Sequence, residues 1–148
     1  MVSKVVAHAP CHVLIVPRGA RMWSQRVLVA AEPSPQGRQV FAVGVAVAAQ
    51  CSLPLHLVTV VATEGLRPQA EAFIAEMLAL AGQGGVAAQG EVRCGKPFTE
   101  ILATASESRS DLIVMGSRDD GRIGRALVGG VAQKVMGLTE HPVLVLHC

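Results

Sequence analysis

Two stretches of this chain carry residue types that could do chemistry. In the first, Glu32 follows the apolar run Val27-Leu28-Val29-Ala30-Ala31 and precedes Pro33-Ser34-Pro35. The second opens at Gly116, Ser117, Arg118, Asp119 and Asp120, and closes at Gly129, Gly130 and Val131. Glycines let backbone N–H groups approach phosphate oxygens, and a helix N-terminus favours the negative charge. Arg118, Arg122 and Arg125 add cationic donors for the same oxygens. The carboxylates of Glu32, Asp119 and Asp120 are oxygen ligands of the kind Mg²⁺ takes, which is the chemistry of a slow phosphohydrolase. Covalent catalysis finds little support. Ser34, Ser117 and Thr99 stand near loops, but no serine sits in a G-x-S-x-G elbow. Cys11, His12, His147 and Cys148 are zinc-ligand types, yet their spacing forms no finger, and no metal site is expected. His56 alternates along an apolar strand and reads as a core or rim histidine.

The composition limits what can position these residues. A chain of 148 residues fits one domain with a sizeable core. Hydrophobic residues make up 51% and aromatics 3%, with no tyrosine. Such an aliphatic core suits parallel strands buried on both faces. A net charge of +2, without a Lys/Arg run, argues against a nucleic-acid partner. The four cysteines form no CxxC pair and read as reduced thiols, so a cytoplasmic location is expected. Val40 to Thr63 contains no charged residue, but Ser52-Leu53-Pro54 divides it into pieces long enough for one helix or one strand. No membrane span is expected there. The N-terminal apolar run is interrupted by His8, Pro10, Cys11 and His12 and does not read as a signal peptide.

Hydrophobic periodicity supplies the elements. Val27–Ala31, Leu55–Val61, Val86–Cys94, Leu112–Met115 and Val143–Leu146 read as strands, the third nearer a sheet edge. Between them, small residues from about Gln36 to Ala49 predict a helix. Ala70, Phe73, Ile74, Met77, Leu78 and Ala81 stripe a second helix, with Pro68 in its first turn and Gly82 at its close. Phe98, Ile101, Leu102 and Ala105 stripe a third, and Val128, Val131, Ala132 and Val135 a fourth. This βαβαβαβαβ order predicts an α/β fold, a mainly parallel five-stranded sheet with helices on both faces. Ligands in such sheets bind beyond the carboxyl ends of the strands, where strand order reverses. Glu32–Pro35 and Gly116–Gly130 are the loops that reach that crevice.

The chain also echoes itself. Lys4-Val5-Val6 and Val13-Leu14-Ile15-Val16 recur, 130 residues on, as Lys134-Val135-Met136 and Val143-Leu144-Val145-Leu146. That offset is close to one domain length, so residues 1–20 read as the tail of a preceding copy and residues 21–148 as the domain itself. The physical consequence is an extra N-terminal strand. Val13, Leu14, Ile15 and Val16 are expected to pair with Val143, Leu144, Val145 and Leu146, within the chain or by exchange between two chains.

The stretch from Val114 through Gly116, Asp119, Gly129 and Gly130 to Val135, followed by His141-Pro142-Val143-Leu144-Val145, resembles the universal stress protein family. Arg26–Ala30 and Val92–Pro97 are similar to that family's first strand and third loop. The resemblance covers residues 26–148 and implies strand order 3-2-1-4-5 in a Rossmann-like, adenine nucleotide alpha hydrolase-like fold. It also implies a nucleotide pocket at Ala30, Glu32, Val60, Gly116, Ser117, Arg118, Asp119, Gly129, Gly130 and Val131. Nucleotide-binding members carry Gly, two residues, Gly, nine residues, then Gly followed by Ser or Thr. This chain matches at Gly116 and Gly129 but has Asp119 for the second glycine and Gly130 for the hydroxyl. It also has Glu32 where the family usually has Asp. A carboxylate ~4 Å from a phosphate charge, at an effective dielectric of ~20, opposes binding by about 4 kcal/mol. The expectation is therefore a non-catalytic stress-response or regulatory module, with a degraded nucleotide loop and no required cofactor. The alternatives are an ATP- or AMP-binding protein, with Mg²⁺, and a slow phosphohydrolase. Assembly is expected to be a homodimer or pseudo-dimer through the last strand, alongside an unidentified protein partner.

Overall fold

The computed structural model describes residues 12–117 and 130–146. Six strands and four helices alternate along them: β1 (Val13–Ile15), β2 (Val27–Ala30), α1 (Pro35–Cys51), β3 (Leu55–Val61), α2 (Arg67–Gln83), β4 (Ala88–Cys94), α3 (Pro97–Glu107), β5 (Leu112–Gly116), α4 (Gly130–Leu138) and β6 (Val143–Leu146). A short 3₁₀ turn at Glu64–Leu66 leads into α2. The strands form one sheet in the order β1-β6-β5-β2-β3-β4. Counted from β2, the five parallel strands run 3-2-1-4-5, as the resemblance implies, and β1 makes a sixth. It pairs antiparallel with β6, Val13 opposite Val145, Leu14 opposite Leu144 and Ile15 opposite Val143.

The central strands read as unbroken apolar runs because both sheet faces are covered. Val27, Leu28 and Val29 are wholly buried, with Val27 and Val29 facing α1 and α2 and Leu28 facing α3 and α4. On the first face they pack with Phe41, Leu57, Phe73 and Met77. On the second face Leu28 joins Val58, Ile101, Ile113 and Val135. Gly44 lets α1 lie close on β2, since a Cβ there would overlap the Val29 side chain. The uncharged stretch from Val40 is divided between α1 and β3, and among the described residues no helix is long and apolar enough to cross a membrane.

Helix ends follow local chemistry. Ser34 caps α1, its hydroxyl accepting from the Gly37 N–H at 2.9 Å, and Pro35 begins the helix. The other end closes on Ser52 in the left-handed region, φ 55°. Helix α2 runs one residue past Gly82 and ends on Gly84, whose N–H donates to the Leu80 and Ala81 carbonyls. Strand β4 is the sheet edge, as its weaker apolarity predicts, and Arg67 donates to the Val92 carbonyl at 3.2 Å along it.

Candidate functional site

Strand β2 lies at the centre of the sheet, with β3 on one side and β5 on the other. Its last residue, Ala30, is level with Val58 of β3 and Met115 of β5. The chain therefore leaves the sheet in opposite directions on either side of this point, which is where an open parallel sheet forms a crevice. A cleft of about 170 Å³ opens there. Ala30, Glu32, Val60, Gly116 and Val131, five of the residues implied by the resemblance, line it.

The turn after β2 is held from both sides. The Ala31 N–H donates to the Val58 carbonyl at 3.2 Å, and the buried Thr59 hydroxyl donates to the Ala31 carbonyl at 2.8 Å. Gly37 is required next to it, because a Cβ there would overlap the Glu32 carbonyl. These contacts bring the exposed Glu32 and the N-terminus of α1 to the rim of the same cleft. The helix dipole there favours negative charge, so the carboxylate of Glu32 and any anionic ligand share a favourable end.

The opposite wall comes from α3. Pro97 begins that helix and lines the cleft with Ile101. Arg93 of β4 ties the helix to the sheet, donating to Glu100 at 2.8 Å, to Glu91 at 2.9 Å and to Glu107 at 3.1 Å. Its hydrogen bonds to Glu107 and Glu100, and then to Glu91, raise Arg93 further above the ordinary arginine range, against the opposing effect of burial. His56 is buried beside this group, its Nε2 3.0 Å from Glu91 Oε2. It is a core histidine with a partner, away from the cleft lining.

Ser117 does not line the cleft. It is buried, and its N–H donates to the Leu146 carbonyl at 2.9 Å. Gly130 is exposed at the start of the described part of α4. Arg118, Asp119 and Gly129 lie outside the described residues, as do Asp120, Arg122 and Arg125. Reading the sequence for charge and glycine missed the apolar lining: Val40, Val58, Ile101 and Met115. Their only sequence signal is position, at the ends of strands or on a helix stripe, and apolar residues there look like any core.

The cleft can take a flat apolar group between Val60, Ile101 and Met115 and offer Glu32 to hydroxyl donors at the rim. A curated universal stress protein of Methanocaldococcus jannaschii is 32% identical over 84 residues, covering 57% of this chain and 49% of that protein. The matched part thus spans about half the length of that relative, and less of the others. Among solved structures, a universal stress protein in complex with cAMP superposes with a TM-score of 0.72 at 24% identity, over 85% of this chain and 98% of that one. The universal stress protein of Archaeoglobus fulgidus in complex with dAMP gives 0.68 at 18% identity, over 84% and 99%. These structural likenesses establish the fold. The family model described as the universal stress protein family matches residues 24–147, and with that match over most of its length the chain belongs to the universal stress protein family.

Proposed function

We propose that this chain is a non-catalytic regulatory domain of the cytoplasmic stress response that holds an adenine nucleoside monophosphate weakly and disfavours the triphosphate. The observation that carries this reading is the cleft at the end of β2. Its lining, with Val60, Ile101 and Met115 on the walls and Glu32 at the rim, supports a base and ribose there. In the loop to which the resemblance assigns the phosphates, the sequence has Asp119 in place of a bare glycine and Gly130 in place of a hydroxyl donor. Adenylate ligands accompany two structural neighbours, one with cAMP and one with dAMP. The charge at Asp119 opposes each further phosphate, so selectivity falls on the monophosphate.

Isothermal titration of AMP and of ATP with Mg²⁺ tests this. The expected result is weak AMP binding and no tighter binding of ATP. Micromolar ATP affinity overturns the reading. Glu32→Gln should weaken AMP by roughly tenfold, the loss of one charged acceptor. Asp119→Gly with Gly130→Ser should raise ATP affinity by at least about tenfold, by removing a like charge and restoring a donor. An unchanged affinity would place the block elsewhere in the pocket. Phosphate release above background that Glu32→Gln abolishes would favour the phosphohydrolase instead.

A further inference from the structure

The end of the sheet away from the cleft carries a surface of different character. Residues 1–31 hold Lys4, Arg18, Arg21 and Arg26 and no Asp or Glu. They carry +4, so the rest of the chain carries −2 of the net +2. Arg18 and Arg21 stand in the connection from β1 to β2, between Val16 and Trp23. That connection is pinned along its length. Before it, Val13–Ile15 pair with β6. Within it, the Ala20 N–H donates to the Pro17 carbonyl at 3.0 Å, and Gly19 supplies the positive φ, 80°, at the third position of the turn. At its close, Trp23 packs against the α1 and α2 side of the core, and the Ser24 N–H donates to Asp111 at 2.7 Å.

A backbone held this way displays its side chains in fixed places. Met22 is 78% exposed, the highest value among the exposed large hydrophobic residues described. Arg18 and Arg21 are exposed, and among the described residues neither forms an ion pair. Arg109 is exposed at the same end of the sheet, because Ser108 to Asp111 lie against Ser24 to Arg26. Arg26 itself donates to the Ser108 carbonyl at 2.7 Å. The connections at this end hold two acids, Asp111 and Glu140, against these four arginines. The Asp111 carboxylate is taken up by the backbone N–H groups of Ser24, Gln25 and Arg26.

We propose that the Val16–Trp23 connection, through Arg18, Arg21 and Met22, is a docking surface for an acidic protein segment with apolar residues among its carboxylates. Charge complementarity selects that partner. Guanidinium groups take carboxylates through paired N–H bonds, and methionine moulds itself to an apolar neighbour. A bilayer surface is held by larger basic clusters, and the four arginines here are half offset by two acids. The backbone is already set by the turn, Trp23 and Asp111, so docking orders little beyond the side chains. The surface lies at the opposite end of the strands from the cleft, so it does not rest on the nucleotide reading, and both ligands fit at once.

The test is fluorescence anisotropy with the full chain and a short labelled peptide of glutamate and leucine. The expected result is saturable binding that weakens with added salt. Glutamine in place of glutamate, or serine in place of leucine, should weaken it. Arg18→Ser with Arg21→Ser should cost at least about tenfold in affinity, the loss of charged hydrogen bonds. Met22→Ser should cost severalfold. All three side chains are exposed, so the melting temperature should hold. Lys96→Ser with Lys134→Ser, two exposed cations elsewhere, should leave binding unchanged. Arg18→Glu with Arg21→Glu should exchange partners and take a lysine–leucine peptide instead. No binding of the glutamate–leucine peptide overturns the proposal. So does an equal loss from the Lys96 and Lys134 pair, which would mean unspecific attraction. Arginine-dependent binding of phosphatidylglycerol vesicles without peptide binding would assign the surface to a membrane and overturn it as well.

Discussion

Asp111 shows how much one side chain settles. Its carboxylate accepts from three successive backbone N–H groups, Ser24 at 2.7 Å, Gln25 at 3.1 Å and Arg26 at 3.1 Å. These groups precede β2, and Asp111 precedes β5, so one residue fixes the entry of the two strands that flank the crevice. Hydrogen bonds to a charged acceptor are stronger than neutral ones, and the N–H groups have no partner of similar quality if it is removed. Asp111→Ala should therefore destabilise the domain by about 1–3 kcal/mol, read from chemical unfolding. Asp111→Asn should recover part of the loss, because one oxygen remains. At the cleft, Glu32 owes its position to backbone constraints on either side of it, through Ala31 and Gly37. Its chemistry is visible from residue type; its placement depends on contacts from β3 and α1.

At the scale of the element, two helices end on residues that pay for it in backbone strain. Ser52 closes α1 at φ 55° and Arg109 follows α3 at φ 56°. Side chains with a Cβ are disfavoured there by about 1–2 kcal/mol, and glycine is not. Part of that gain is lost to the greater freedom of glycine in the unfolded chain. Ser52→Gly and Arg109→Gly should each raise stability by about 0.5–1 kcal/mol, measured as a higher melting temperature. The hydrogen bonds that close these ends run through the backbone, Leu53 N–H to the Ala48 carbonyl at 2.9 Å and Ser110 N–H to the Ala105 carbonyl at 3.0 Å, so neither substitution removes them.

For the whole molecule, acid is the informative variable. Glu64 is held below its ordinary range by its hydrogen bond to Arg67, and Glu76 by its hydrogen bond to Arg38. The second pair joins α2 to α1 at 2.6 Å. A carboxyl whose folded pKa is depressed adds stability above its unfolded pKa and loses it as pH falls through the folded value. The melting temperature of the native chain should exceed that of Glu64→Gln with Glu76→Gln near neutrality. The gap should close in acid, below the ordinary carboxylate range. Both pairs are exposed, so the gap should be small and should shrink in high salt. A gap that persisted through acid would mean the glutamines had disturbed packing.

The sequence by itself determined the alternation of elements and the parallel sheet. Each follows from local pattern: apolar runs such as Leu112–Met115, helix stripes such as Phe73–Met77, and turn residues between them. It also determined that a strand lies ahead of the domain, because repetition is a property of the letters alone. Tertiary structure decided what faces what. The apolar lining of the cleft, Ser117 turned into the sheet, Arg93 gathering Glu91, Glu100 and Glu107, and the register of β1 on β6 all join residues far apart in the chain. Periodicity records which side of its own element a residue faces. It holds no record of the neighbour across the gap, and that neighbour is set by how the layers pack.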